Sequence, residues 1–201
     1  MRNFRLIMVL FSIAGLLFIG FTVLFSRSTV LAPQRAELME LGDAPTIQLT
    51  NQEGAAFDSS SLSGKVWVAD FFFTSCGGPC PVMTASMAQV QQALDMEQDL
   101  HMVSISVDPE TDTPERLKAY GEKYGADFSR WHFLTGPIEA IQQLAVEGFK
   151  VGSVEDPVIH STRFILVDTR GQIRGYYTGT EKEDVDRMTQ DIQQLLETQG
   201  A

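Results

Sequence analysis

The chain is 201 residues long, 44% hydrophobic and 20% charged, a size that holds one well-buried domain plus an appendage and excludes two full domains. Its formal charge is −11, and that acidity disfavours nucleic acid and anionic lipid headgroups as partners. Only two cysteines occur, Cys76 and Cys80, which excludes a multi-disulfide scaffold and leaves a reactive dithiol or a metal site.

The first element is LIMVLFSIAGLLFIGFTVLF, residues 6–25, which is 20 consecutive residues without a charge. A helix of that length crosses a bilayer core, so a single membrane span is expected. A cleaved signal peptide is the competing reading, but its apolar region runs to about 7–15 residues and ends at small residues. Phe25, Ser26 and Arg27 fit such an end poorly. Arg2 and Arg5 precede the span and Arg27 follows it, so the positive-inside bias sets the N-terminus in the cytoplasm. The expected location is the inner (cytoplasmic) membrane, single-pass, with the soluble domain periplasmic or otherwise extracytoplasmic. Residues 1–26 read as the anchor, residues 27–42, polar and carrying Pro33, as a tether, and residues 43–201 as the folded domain.

Within the domain, residues 46–50, a turn signal at 51–54 and the apolar return at Phe57 predict a β-hairpin. VWVADFFF, residues 66–73, reads as a buried strand by its β-branched and aromatic content. After the cysteines, Met83, Met87, Val90 and Leu94 recur at helical spacing. A second apolar strand at 101–107 leads to a helix that opens at Thr113-Pro114, where Thr caps and Pro fills the first turn. A third strand at 131–134, a third helix at 138–149, a strand at 164–167 turning through 168–171 into 173–177, and an amphipathic helix at 181–196 complete the chain. Strands alternating with helices, then a terminal hairpin and helix, give an α/β fold: a thioredoxin-like mixed sheet flanked by helices, with an N-terminal hairpin and a single N-terminal transmembrane helix.

Cys76-Gly-Gly-Pro-Cys80-Pro81 stands between a buried strand and a helix, where free backbone N–H groups and the helix dipole stabilise thiolates. With Pro81 at the first helical position, Cys80 lies at the cap and Cys76 in the loop before it, and Gly77 and Gly78 let that loop curl. Both a disulfide and a shared metal are open to this spacing. Soft thiolates select Cu(I), zinc or iron–sulfur clusters, and two cysteines are too few for a structural zinc or a cluster, so copper with a third ligand is the economical solution. Three histidines are candidates. His101 begins a strand and His132 lies inside one, which fits structural roles, whereas His160 sits in a loop before a strand, and spacing alone leaves it open between ligand and ordinary loop histidine. Met83, Met87 and Met96 read as core packing rather than a copper relay. No phosphate-binding glycine loop is present.

The segments FFFTSCGGPCPVMTASM, SVDPETDTPERLKAY, WHFLTG, the His160 loop and FILVDTRGQIRGYY, in that order, resemble the Sco/SenC family from about Asp43 to the C-terminus. The resemblance implies a thioredoxin-like domain on one membrane anchor that binds one copper ion, Cu(I) or Cu(II), through Cys76, Cys80 and His160. It implies a metallochaperone that helps assemble the dinuclear copper centre of cytochrome c oxidase, with that enzyme's copper-bearing subunit or another copper-site protein as partner. Family members commonly carry a histidine before the first cysteine and an acidic residue between the two, where this chain has Ser75 and Gly77-Gly78-Pro79. Asp108-Pro109 and Asp112-Thr113-Pro114 also match the family, and turn and cap chemistry accounts for them. The alternative is an enzyme, an extracytoplasmic thiol–disulfide oxidoreductase with Cys76 and Cys80 as the catalytic pair and Cys76 attacking. A peroxidase is a weaker third reading.

Overall fold

The structure is a computed structural model and describes residues 37–152 and 161–199. The expected membrane span, most of the expected tether and His160 lie outside the described residues. No described helix is long and apolar enough to cross a membrane.

Eight described strands form one mixed sheet in the order β1-β8-β7-β4-β5-β6-β2-β3. Its centre is β4 (Val66–Phe72), flanked by β5 (Leu100–Ser106) in parallel and β7 (Arg163–Val167) antiparallel. β6 (Trp131–Thr135) runs parallel to β5, and the N-terminal hairpin, β2 (Gln48–Asn51) and β3 (Ala56–Asp58), adds antiparallel to β6. On the other side, β8 (Gln172–Thr178) pairs with β7 and with the short β1 (Gly42–Asp43).

Every residue of β4 is buried because helices cover both faces of the sheet. Its side chains alternate. Val66, Val68 and Phe72 enter one core with Met83, Met87 and Val90 of α1 (Pro79–Ala93), Leu117 of α2 (Pro114–Lys123), and Val185, Met188, Ile192 and Leu195 of α4 (Lys182–Gln199). Trp67, Ala69 and Phe71 enter the other core with Ile141 of α3 (Ile138–Gln143), Leu144, Ala145 and Phe149 beyond it, and Leu49 and Phe57 of the hairpin. Met83 and Met87 are core residues, as their spacing implies; Met96 is not, since it lies past the end of α1 and is 87% exposed.

Two local features depart from the expected pattern. The third helix is α-helical only to Gln143 and then widens into a π turn, Leu144–Gly148, closed by Phe149 N–H donating to Leu144 O at 2.7 Å. Widening keeps both Ala145 and Phe149 fully buried, and Gly148 lies against Pro45 where a Cβ would meet the ring at 2.6 Å. At the other end, part of the stretch read as tether is tied to the domain. Leu41 N–H donates to Ile173 O at 2.9 Å, Arg170 pairs with Glu40 at 2.5 Å, and the Arg174 guanidinium bridges Leu38 O and Asp168.

Candidate metal and thiol site

Parallel β4, β5 and β6 end at one pole of the sheet, and antiparallel β7 begins there. Loops that follow the three parallel strands therefore gather at this pole with Ser161 and Thr162, which lead into β7, the usual place for a site in such a sheet. Cys76 lies in the loop after β4, part-exposed, and Cys80 lies in the first turn of α1, 5% exposed and part of the first core. Both are free thiols.

The helix starts two residues earlier than expected: its N-cap is Gly78 and its first residue is Pro79, so Cys80 is inside the helix rather than at its cap. Pro79 and Pro81 have no N–H, and Gly78 offers no capping side chain, which leaves few donors in the first turn and no side-chain acceptor for them. The Cys76 sulfur takes that acceptor's place. Gly78 N–H donates to Cys76 Sγ at 3.4 Å, and the Cys80 N–H and thiol also reach it. Slight burial pushes the Cys76 thiol up, but these three hydrogen bonds outweigh it and its pKa lies below the ordinary thiol value. Burial pushes Cys80 up to about 12, helped by its bond to Cys76 and the nearby Asp70, against one backbone bond from Phe73. One sulfur is thus prepared as the thiolate and the other as its proton-holding neighbour. Neither Gly77 nor Gly78 has a positive φ, and a Cβ would meet nothing at Gly77 and only Cys76 Sγ at 3.9 Å at Gly78. The loop therefore has room for larger residues at both positions.

What holds this loop is a carboxylate that sequence reasoning assigned to turn chemistry. Thr113 alone caps α2, its Oγ1 accepting from Arg116 N–H. Asp112 is fully buried and turns inward: Oδ2 accepts from Thr74 N–H at 2.9 Å and from Ser106 Oγ at 2.6 Å, and Oδ1 accepts from Thr74 Oγ1 at 2.5 Å. Arg116 Nε completes the set, donating to Thr74 Oγ1 at 2.7 Å and lying 3.7 Å from Asp112 Oδ1. The signal available in the sequence was an acid placed directly before a residue that already supplies the cap.

A second buried acid was missed altogether. Asp70 in β4 is 2% exposed, and burial raises it to about 7 despite a hydrogen bond from Ser104 Oγ at 2.6 Å; Trp131 Nε1 in turn donates to Ser104. It lies on the core face that also receives Cys80. His101 and His132 stack at 5.9 Å between ring centroids, on the opposite face of the sheet. Burial lowers the pKa of both, His132 to about 4. Among the described residues no three His, Cys, Asp or Glu side chains converge as a metal site, so Cys76 and Cys80 stand as a pair.

A family model described as SCO1/SenC matches residues 44–197. The chain belongs to this family. It is 40% identical over 148 residues to the SCO1 protein homolog of Bacillus subtilis, covering 71% of this chain and 77% of that one. The Sco/SenC fold is equally plain in solved structures. The SCO1/SenC family lipoprotein of Bacillus anthracis superposes with a TM-score of 0.71 at 39% identity, over 80% of this chain and 98% of that one. BsSco, described as having a disulfide switch and as a member of the Sco family of cytochrome c oxidase assembly proteins, gives 0.71 at 35% identity, over 81% and 99%.

Proposed function

We propose that this protein binds copper as cargo and passes it by ligand exchange to a copper-site protein, the copper-bearing subunit of cytochrome c oxidase being the partner that its family implies. Cys76, Cys80 and His160 are the ligands. The observation that carries this reading is the asymmetric thiol pair: a Cys76 sulfur held as acceptor at the start of α1, hydrogen-bonded to a buried Cys80 in the first turn of that helix. Two soft sulfurs so arranged match Cu(I), whose binding displaces the Cys80 proton and is therefore favoured as pH rises. Support for His160 comes from chain length: it stands three residues before Arg163, about 10 Å of extended chain at most, and β7 begins at the pole where β4 ends. Residues 1–26 anchor the protein in the inner membrane, single-pass, with the domain outside, a reading carried by the 20 uncharged residues 6–25; the lipoprotein description of its Bacillus anthracis relative supports membrane attachment alone.

An anaerobic Cu(I) titration of the reduced full chain in detergent, against a competing chelator, tests the assignment. One tight equivalent, weakened at least tenfold by Cys76→Ser and by His160→Ala, is the expected result. No tight binding refutes it.

The same thiol asymmetry favours a second reading, thiol–disulfide exchange. Cys76 thiolate attacks a partner disulfide and one partner sulfur leaves as thiolate. Cys80 then attacks Cys76 Sγ, its proton passing to the second partner sulfur as that leaves; the partner gains two electrons and the pair becomes a disulfide. Exchange that survives His160→Ala beside an absent copper equivalent identifies this activity.

A further inference from the structure

We infer that Asp112 is the positioning residue of the cysteine loop: through Thr74 it fixes where Cys76 stands relative to Cys80, for metal binding and for disulfide closure alike. The metal half of this inference rests on the copper reading above; the disulfide half does not.

In the loop from Phe73 to Gly78 the sulfurs take one set of contacts, Gly78 N–H to Cys76 and a Phe73 backbone bond to Cys80, and Asp112 takes the other at Thr74. Ser75, Gly77 and Gly78 are exposed, and the helix start has no side-chain cap. Its one internal backbone bond, Cys76 N–H to Phe73 O at 3.2 Å, is a turn rather than an anchor. Thr74 is different. Its amide and its hydroxyl both donate to Asp112, one to each carboxylate oxygen, so this carboxylate grips a single residue at two points. Two contacts fix orientation as well as distance.

Asp112 is in turn immobile. It is completely buried, its own N–H donates to Asp108 O at 2.8 Å, and Ser106 at the end of β5 donates to the same oxygen that holds the Thr74 amide. The loop after β4 is thus referenced to the end of β5, the strand that runs parallel to β4 through seven paired positions. Arg116 closes the arrangement from outside, so that Thr74 Oγ1 accepts from a cation while donating to an anion. A fully buried carboxylate with this many donors is a costly feature, since breaking it strands a charge, and a helix cap does not need it because Thr113 already serves. Two of the three donors to Asp112 belong to Thr74 and Arg116 donates to Thr74 from outside, so the arrangement brings Thr74, two residues from Cys76, to one fixed place.

Closing a disulfide and binding one copper both require the two sulfurs to meet in one geometry, and a held loop meets that requirement before the reaction. Releasing the loop makes both closed forms less favourable than the open dithiol. The experiment uses the full chain in detergent and reads three quantities: Cu(I) affinity, the reduction potential of the Cys76–Cys80 disulfide, and melting temperature. Asp112→Asn should weaken Cu(I) about tenfold and disfavour the disulfide about tenfold, a potential about 30 mV less negative. Thr74→Val, which keeps the amide and loses the hydroxyl, should move both about threefold in the same direction, and Thr74→Ser should stay within twofold of wild type. Arg130→Met, which destabilises the far end of α1, serves as the stability control and should lower the melting temperature without moving affinity or potential. If Asp112→Asn and Thr74→Val behave like Arg130→Met, the inference is overturned. Should Asp112→Asn not fold, the Thr74 pair decides. Should wild type bind no Cu(I), the copper reading fails and the potential alone decides for or against Asp112.

Discussion

Arg130 should be among the most damaging positions to truncate, although it lies far from the cysteines. Its side chain is 3% exposed and its guanidinium closes the C-terminal end of α1. Nη1 donates to Leu94 O at 3.0 Å and Glu97 O at 3.3 Å, Nη2 to Gln91 O at 3.4 Å and to Asp95 at 2.9 Å, and Nε to Asp127 at 3.2 Å. A buried cation at a helix C-terminus contributes up to about 2 kcal/mol through the dipole alone. Leaving a buried carbonyl such as that of Leu94 without a donor costs about 1–3 kcal/mol more. Together these give Arg130→Ala a loss of about 3–5 kcal/mol, in the range found when one partner of a buried charged network is removed. At about 2–4 °C per kcal/mol for a chain of this size, the melting temperature should fall by about 6–20 °C. Arg130→Met refills most of the volume but supplies no donor, so it should recover less than half of that loss. Thermal unfolding followed by far-ultraviolet circular dichroism measures both. If Arg130→Ala costs under about 3 °C, or if methionine restores the wild-type value, the capping argument is wrong.

Three further outcomes are expected. The stacked histidines are held neutral in the fold, so as pH falls below the ordinary histidine value of about 6.5 the unfolded chain takes up protons that the folded one refuses, and stability declines until His132 protonates near pH 4. The His132 share is at most about 3 kcal/mol and smaller after solvent screening; His132→Phe should flatten the melting-temperature profile between pH 6.5 and 4, and an unchanged slope refutes the assignment. Asp70 is held protonated up to about pH 7, while in the unfolded chain it ionises near 4, so its contribution to stability falls as pH rises through that window. Asp70→Asn should therefore be about 1–3 kcal/mol more stable than wild type at pH 8 and close to it at pH 4, while easing deprotonation of Cys80; a variant less stable at pH 8 in urea unfolding refutes this. At pH 7.5, iodoacetamide should label Cys76 at least tenfold faster than Cys80 in the reduced protein, read by peptide mass mapping, and equal rates would contradict the thiol asymmetry.

Most of the strand and helix order was legible because the pattern is local. VWVADFF alternates between two cores, and Thr113-Pro114 carries its cap in the sequence. The site was legible only in part. The Cys76–Cys80 spacing announces a thiol pair, but the identity of the helix start depends on which of two prolines, Pro79 or Pro81, takes the first position, and both are chemically suited to it. Asp112 and Asp70 were illegible for another reason: their roles depend on Thr74 and Ser104, 38 and 34 residues away, and no local rule tells a buried carboxylate from a solvated one. The close approach of Gly148 to Pro45 at the end of the π turn is likewise a contact between residues far apart in sequence.

The knot of Glu40, Asp168, Arg170 and Arg174 around Leu38 also decides where residues 38–43 join the domain. Because β7 is antiparallel to β4, the turn after β7 lies at the start of β4, a strand's length of about 23 Å from the loop that carries Cys76. This corner and the edge pairing of β1 with β8 together fasten residues 38–43 to the domain. The fastening of residues 38–43 and the geometry of the cysteine loop are thus set at opposite ends of the central strand.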